Sequence, residues 1–233
     1  EDLAELGYDA DWILQRTGIQ ERRRAAPEQA TSDLALEASR NCLQQADLAA
    51  DQLDFILVAT MTPDHLTPST ACVVQQGLGA HCPAMDVNAA CAGFMYGLIT
   101  GMHYIHSGTF QRVLVVGADL LSRVVSPKDK KTYPLFGDGA GAVVLRAEEG
   151  SGTNDDRGVL DVKLYSDGRL HDLLYTDGGV SSTRSAGLLR MAGKEVFKHA
   201  VSKIAASMEA VVDSAGISID DVDWFVPHQA NQR

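Results

Sequence analysis

Cysteine is scarce in this sequence of 233 residues, and its spacing excludes a disulfide framework. The four cysteines are Cys42, Cys72, Cys82 and Cys91. They form no CxxC pair, and three of them lie in apolar or helical surroundings. Such spacing indicates reduced thiols. We therefore expect a cytoplasmic protein, and we expect no metal ion in its site. A secretory or membrane-spanning pattern is also lacking, so no membrane partner is expected.

Positive charge is in short supply, because 20 Lys and Arg stand against 31 Asp and Glu and the formal net charge is −11. The phosphate backbone would be repelled, so we expect no nucleic-acid partner. Hydrophobic residues make up 45% of the chain, which is enough for the core of one large domain or two of ordinary size.

Charged residues are absent from one long stretch, Val87–Gln111. Its asparagine, histidines and glycines make it too polar for a membrane span. It is interpreted as the end of a short strand, Ala84–Val87, followed by a central helix over Ala90–Ser107 that is buried on all sides. The helix has glycine at every fourth position, at Gly93, Gly97 and Gly101. This bare face predicts close packing against a second helix.

Cys91 lies where that strand becomes the helix. The free N–H groups and the dipole at a helix N-terminus stabilise a thiolate, so we expect a lowered thiol pKa and a nucleophile. The neighbouring alanines and Gly93 leave room for a substrate carbonyl. A lone cysteine in an apolar run is, however, more often a buried structural residue.

Strands alternate with helices along the rest of the chain, which indicates an α/β fold. The predicted helices cover 31–46, 69–78 and 194–215, and the predicted strands cover 53–60, 112–117, 159–166 and 222–226, while residues 136–146 are predicted to be a glycine-rich turn that leads into a strand. The glycine spacing in FGDGAGAVVLR, from Phe136, matches neither the dinucleotide nor the P-loop fingerprint.

An internal repeat divides the chain at a polar, glycine-rich segment, Gly150–Arg157. Ala46–Leu57 and Ala215–Val226 align without gaps as a helix end, a polar linker and a buried strand. The repeat predicts two similar halves, residues 1–150 and 151–233. By this repeat the second half is incomplete by on the order of 80 residues. We therefore expect residues 1–233 alone not to complete a reaction that needs both halves.

His228 follows the last predicted strand, at the carboxyl end where open α/β sheets bind ligands. A histidine at a strand end is more often a surface residue than a catalyst. Together with Cys91, however, it forms a pairing used in thioester chemistry, in which the histidine only has to donate a hydrogen bond to a carbonyl oxygen.

Five segments together resemble the β-ketoacyl-[acyl carrier protein] synthase III family of thiolase-fold condensing enzymes. They are DWILQRTGI from Asp11, DVNAACAGF around Cys91, FGDGAGAVVL from Phe136, MAGKEVF from Met191 and FVPHQANQR around His228. The resemblance spans the chain and follows the family's order of motifs. It implies a thiolase-like fold, with two halves in a five-layered α-β-α-β-α arrangement, and a homodimer that starts type II fatty-acid synthesis.

The resemblance also implies the reaction and its residues. Cys91 takes the primer from acyl-CoA, which is a substrate rather than a tightly bound cofactor, and condenses it with malonyl-[acyl carrier protein]. His228 supports the decarboxylation. The implied CoA-binding positions are Trp12, Arg16, Lys130 and Gly193, and the implied carrier-protein segment is Gln229, Ala230, Asn231, Gln232 and Arg233.

The sequence departs from the family pattern at three places. The family's third catalytic residue, an asparagine, would follow the histidine segment and has no counterpart before Arg233. Lys130 stands where the family often has an arginine that packs on adenine. Thr67 lies where some relatives have a phenylalanine that closes the acyl pocket, so a longer or branched primer is one interpretation.

Two other functions remain open at this stage. A related thiolase-fold acyltransferase of secondary metabolism would keep the cysteine and histidine and use another acceptor. A non-catalytic dimer partner would have lost or replaced Cys91 or His228, and both are present.

Overall fold

The computed structural model describes residues 2–5 and 7–230, and their contacts divide them into two units. The sheet unit comprises residues 23–120 and 138–149. The hairpin unit comprises the described residues up to Arg22, residues 121–137 and the described residues from Gly150 onward. The elements in chain order are α1 (Asp2–Glu5), α2 (Ala10–Thr17), α3 (Thr31–Gln45), β1 (Phe55–Ala59), α4 (Thr70–Leu78), β2 (Ala84–Val87), α5 (Gly93–His106), β3 (Arg112–Leu120), β4 (Asp138–Arg146), β5 (Leu174–Thr176), β6 (Leu189–Met191) and α6 (Gly193–Ala215).

The sheet unit contains a four-stranded sheet in the order β2-β1-β3-β4. β1 runs parallel to β2 and β3, and β4 returns antiparallel to β3. Every residue of β1 is buried, as expected for an apolar strand covered on both faces. Ala59 is level with Val87 on one side and with Gly117 on the other, so the three parallel strands end at the same edge.

Helices cover both faces of this sheet. α3 and α4 pack on one face around Ile56, Val58, Leu114 and Val116. The core on the other face, where α5 packs, contains Phe55, Leu57, Val113 and Val115. The alternating side chains of β1 and β3 therefore serve two cores, and the sheet unit is an α-β-α sandwich. The predicted α/β elements of residues 31–146 are confirmed to within a few residues at their ends.

The bare face of α5 packs on the sheet and not on a second helix, which corrects the sequence interpretation. A Cβ atom added at Gly97 would lie 3.1 Å from Val115 Cγ1, and one at Gly101 would lie 3.0 Å from both Val113 Cγ1 and Leu145 Cδ1. β-branched side chains fill the space that the glycines leave. The four-residue repeat thus allows a helix to approach the sheet closely.

The opposite face of α5 is open in this structure, so the helix is not buried on all sides as the uncharged stretch suggested. Met95 is 48% exposed, and His103 and His106 are exposed near the C-terminal end. The absence of charge had been interpreted as burial, although small and weakly polar residues can also lie at a surface.

The hairpin unit differs most from the sequence predictions. α6 covers nearly the predicted span, and β5 and β6 form a short antiparallel hairpin that was not predicted. The strands predicted over 159–166 and 222–226 are wrong, because neither segment is a strand and Trp224 is 85% exposed. Apolar character alone does not make a strand, since a strand needs a neighbour to accept and donate its hydrogen bonds, and these segments have no such neighbour among the described residues. Among all the residues that the structure describes, in both units, no helix is both long and apolar enough to cross a membrane.

Carboxylates hold the turns of the sheet unit by accepting backbone N–H groups. Asp86 on β2 accepts the N–H groups of Thr70 and Ala71 at 2.8 and 2.7 Å, and so caps α4 from outside the helix. Asp54 likewise accepts two backbone N–H groups, those of Gln111 and Arg112 at the start of β3. Ser69 is the N-cap residue of α4, but its side chain makes no cap bond. The capping anion therefore comes from a neighbouring strand.

We expect Asp86→Ala to lower the free energy of unfolding by about 1–3 kcal/mol, because two N–H groups lose a charged acceptor. Asp86→Asn should cost less, since one amide oxygen remains. Glu37→Ala on the exposed side of α3 is the control. Urea unfolding of the four proteins measures the effect, and an Asp86→Ala midpoint equal to that of the control would contradict the capping role.

Candidate active site

The candidate active site lies at the carboxyl edge of the three parallel strands of the sheet unit. Thr60 directly follows β1, Cys91 comes four residues after the end of β2, and Asp119 lies near the end of β3. Open α/β sheets bind ligands at this edge because the loops there are free to vary on a rigid support. The register of the strands thus brings a hydroxyl, a thiol and a carboxylate from distant parts of the sequence to the same edge of the sheet.

Cys91 lies in a single 3-10 turn, Ala90–Ala92, that leads directly into α5. The predicted position at a helix N-terminus is therefore confirmed. Ala90 has a φ of 47°, which is an unfavourable conformation for a residue with a side chain. Strain of this kind is retained where the surroundings hold a side chain in a required orientation. Part of Cys91 is open to solvent, although a buried cysteine is expected from the apolar run, while neighbouring atoms still pack closely enough around the thiol to desolvate it.

Asp119 organises the loop beside Cys91, and sequence reasoning missed it. Its Oδ1 atom accepts the hydroxyl of Thr60 at 3.1 Å, the N–H of Met61 at 2.8 Å and the hydroxyl of Thr62 at 3.2 Å. Thr62 in turn accepts the N–H of Leu120 at 2.9 Å. The signal in the sequence was an acidic residue inside the apolar run RVLVVGADLL, since a half-buried carboxylate needs several donors.

The surroundings raise the pKa of the Cys91 thiol, which corrects the lowered value expected from the helix position. Burial among neighbouring atoms has the largest effect, and the nearby Asp119 carboxylate raises this pKa further, while a hydrogen bond from the backbone of Cys91 lowers it. Burial also raises the pKa of Asp119, against the donors from Met61, Thr60 and Thr62. A negative charge near the sulfur opposes thiolate formation. Any lowering of the Cys91 pKa by the helix N-terminus is therefore opposed both by burial and by the Asp119 charge.

His228 lies in the hairpin unit, in a segment without regular secondary structure, and its side chain is exposed. The expected strand before it is absent, as described above. Gln229 and Ala230 are exposed next to it, whereas Asn231, Gln232 and Arg233 lie outside the described residues. Cys91 and His228 belong to separate units, so their pairing stays a prediction.

Three of the expected CoA-binding residues do come together, within the hairpin unit, around Tyr8. The rings of Tyr8 and Trp12 stack at a centroid distance of 4.9 Å. The guanidinium carbon of Arg16 lies 4.5 Å from the centroid of the Trp12 ring, and the Lys130 ammonium lies 5.1 Å from that of Tyr8. The Tyr8 hydroxyl donates to the carbonyl of Lys130 at 2.7 Å. Sequence reasoning missed Tyr8, although a tyrosine four residues before a tryptophan was a visible signal.

A cavity of about 600 Å³ in the hairpin unit is lined as far as Ala192, which directly precedes Gly193, the fourth expected CoA-binding residue, at the start of α6. Its lining residues are Ser126, Lys128, Asp129, Lys131, Asp172, Tyr175, Arg190, Met191 and Ala192. The carboxylate of Asp129 is satisfied by the N–H of Lys131 and the hydroxyl of Thr132. Asp172 and Asp129 also line the cavity and Arg190 is paired with Asp177, so Lys128 and Lys131 are the cations that could attract an anionic ligand.

Thr67 lies exposed in the loop between β1 and α4, next to Leu66, which is 75% exposed. The loop belongs to the sheet unit, as does Cys91. Nothing among the described residues closes over Thr67, so its role in an acyl pocket stays a prediction.

Comparison with known proteins gives a consistent result. A family model described as 3-oxoacyl-[acyl-carrier-protein (ACP)] synthase III matches residues 85–168. The chain is 52% identical over 224 residues to beta-ketoacyl-[acyl-carrier-protein] synthase III of Rhizobium rhizogenes, which covers 96% of this chain and 69% of that protein.

Solved structures agree with this result. The crystal structure of 3-oxoacyl-(acyl carrier protein) synthase III from Pseudomonas aeruginosa matches with a TM-score of 0.90 and 39% identity, over 99% of this chain and 70% of that one. The corresponding enzyme from Aquifex aeolicus matches with a TM-score of 0.89 and 39% identity, over 99% and 71% of the two chains. The likeness confirms the predicted α/β, thiolase-like fold, while the division into halves at residue 150 stays a prediction.

Replacing Asp119 by Asn should lower the pKa of Cys91 and speed its alkylation by iodoacetamide at pH 7.5 by about 3- to 10-fold, because one pKa unit changes the thiolate fraction about tenfold. The amide keeps an oxygen to accept from the loop. Rates at Cys91 are measured by mass spectrometry between pH 6.5 and 10.

Asp54→Asn is the matched control, since Asp54 also accepts two backbone N–H groups but lies at the opposite end of β3. It should leave the Cys91 profile unchanged. A rate for Asp119→Asn that equals or falls below that of the unmodified protein would show that the Asp119 charge does not govern the thiol.

Proposed function

The chain belongs to the beta-ketoacyl-[acyl-carrier-protein] synthase III family, and from that premise we propose that it condenses an acyl-CoA primer with malonyl-[acyl carrier protein]. The reaction is a decarboxylative Claisen condensation that gives a 3-oxoacyl-[acyl carrier protein] and begins type II fatty-acid synthesis. The observation that carries the proposal is Cys91, presented by a strained turn at a helix N-terminus on the carboxyl edge of parallel strands.

In the first half of the reaction, Cys91 is the nucleophile. Its sulfur attacks the thioester carbonyl of acyl-CoA, the new carbon–sulfur bond forms, and the CoA thiolate leaves and takes up the proton that the cysteine lost. We assign the stabilisation of the developing negative charge to the backbone N–H of Cys91 and to the positive end of the α5 dipole. Because the pKa of Cys91 is raised, only a small fraction of the thiol is ionised at neutral pH, and the attack depends on proton loss as the bond forms.

In the second half, malonyl-[acyl carrier protein] loses carbon dioxide, and the resulting enolate attacks the Cys91 thioester. The new carbon–carbon bond releases the Cys91 thiolate, and the 3-oxoacyl product leaves on the carrier protein. We assign to His228 the donation of a hydrogen bond to the malonyl thioester oxygen, where charge collects during decarboxylation.

We assign the recognition of the two substrates to two separate sets of residues. Trp12, Arg16, Lys130 and Gly193 would bind CoA, and Lys128 and Lys131 in the nearby cavity support a phosphate-bearing ligand. Gln229, Ala230, Asn231, Gln232 and Arg233 would bind the carrier protein. Local cations are needed because the chain as a whole, at −11, repels acidic partners.

A homodimer in a reducing compartment such as the cytoplasm completes the proposal. β2 is an edge strand of the four-stranded sheet, so its outer edge is available to pair with a second copy. Thr67 would then line the acyl pocket. The four cysteines are unpaired, which supports a reducing compartment.

Mass spectrometry of the natural full-length protein after incubation with a panel of acyl-CoAs tests the nucleophile and the primer together. We expect the mass of one acyl group to be added at Cys91, with the preferred chain length revealing the pocket size. Cys72→Ala, which removes a half-buried cysteine of α4, is the control and should be acylated normally. Acylation elsewhere, or none with any acyl-CoA, would contradict the proposed function.

His228→Ala separates the two halves of the reaction. It should still form the acyl-Cys91 intermediate but lose condensation with malonyl-[acyl carrier protein] by about 10²-fold or more, the usual effect of removing one donor to a developing oxyanion. Acylation is followed by mass spectrometry and condensation by release of carbon dioxide. His106→Ala, at the exposed end of α5, should match the unmodified protein, and normal condensation by His228→Ala would refute its assigned role.

A further inference from the structure

Two side chains of this chain lie against the Trp12 ring. Tyr8 stacks on the ring at 4.9 Å, and the Arg16 guanidinium lies over it at 4.5 Å. These residues flank Trp12 at four positions on either side along α2 and the segment before it. A planar base that stacks on the part of Trp12 covered by Tyr8 has to displace the tyrosine ring.

Tyr8 is the more displaceable of the two groups. Arg16 lies in the last turn of α2, whose backbone is regular, whereas Tyr8 precedes the helix and follows Gly7, which has a φ of 74°. Glycine moves through such conformations at little cost. The contacts of the Tyr8 side chain include the stack on Trp12, the Lys130 ammonium at 5.1 Å and a hydroxyl bond to the Lys130 carbonyl.

We propose that Tyr8 is a built-in occupant of the base-stacking face of Trp12, which the adenine of acyl-CoA must displace. The inference rests on the proposed function, because it concerns how the same substrate is recognised. When adenine replaces the tyrosine ring, one stacked pair is exchanged for another, and the Lys130 ammonium is released from Tyr8 to meet a phosphate. The nucleotide then adds little net affinity. Tyr8 is thus a specificity-determining residue that weakens the preference for CoA over pantetheine thioesters without a nucleotide.

Removal of the Tyr8 ring tests this competition in the natural full-length protein. Tyr8→Ala and Tyr8→Thr should lower the KM for acetyl-CoA by about 3- to 10-fold, the range expected when one stacked aromatic pair no longer competes. The KM for S-acetyl-pantetheine, which has no adenine, should not change with either variant. Tyr8→Phe keeps the ring and loses only the hydroxyl bond, so its KM for acetyl-CoA should fall by less.

Binding of coenzyme A itself gives a second readout that is independent of turnover. The chain has two tryptophans, so a Trp224→Phe background leaves Trp12 as the fluorescent reporter. Coenzyme A should change Trp12 emission at a lower concentration in Tyr8→Ala than in the parent, by the same factor as the KM.

The outcomes separate the inference from the function on which it rests. If the unmodified protein is acylated by both thioesters and Tyr8→Ala binds coenzyme A no more tightly, the inference is overturned while the proposed function stands. Weaker binding by Tyr8→Ala would equally overturn it, since Tyr8 would then be a platform for the base. If neither thioester acylates the unmodified protein, the proposed function itself fails.

Discussion

The contact between the glycines of α5 and the sheet below determines where the candidate nucleophile lies. Gly97 and Gly101 meet the side chains of Val113, Val115 and Leu145 at distances that leave no room for a Cβ atom without movement. This close approach sets the height of α5 over the parallel strands. Because Cys91 lies in the turn that opens the helix, its position follows from packing two and three turns away.

An acidic chain could be expected to repel itself, yet the sheet unit uses its carboxylates as internal acceptors. Asp54 and Asp86 each bind two backbone N–H groups, and Asp119 binds three donors from the loop after β1. The same placement that makes Asp119 structural also puts its charge near Cys91. Loop geometry and thiol reactivity are therefore coupled through one carboxylate, and a change at Asp119 alters both.

The aromatic and cationic groups around Trp12 differ from these carboxylates, since they contact one another and all of them except the half-buried Tyr8 are exposed. The stacked rings of Tyr8 and Trp12 each also contact a cation. Arg16 lies over Trp12 and Lys130 over Tyr8, so these groups already contact each other without a ligand. A ligand with a ring and phosphates offers the same contacts. Binding at such a site is therefore an exchange of partners, and its net free energy is much smaller than the sum of the new contacts.

The sequence by itself determined the α/β order of the sheet unit, the helix start at Cys91 and the family, because apolar periodicity and short motifs are local properties. It did not determine what Gly101 packs against, since bare faces fit helices and sheets equally well. An acidic residue inside an apolar run marks Asp119, but the sequence does not identify its donors, because they are about 58 residues away in the chain. Only the tertiary structure brought the ring of Tyr8 onto Trp12 and left Trp224 outside any sheet, because those outcomes depend on which neighbours are present in space.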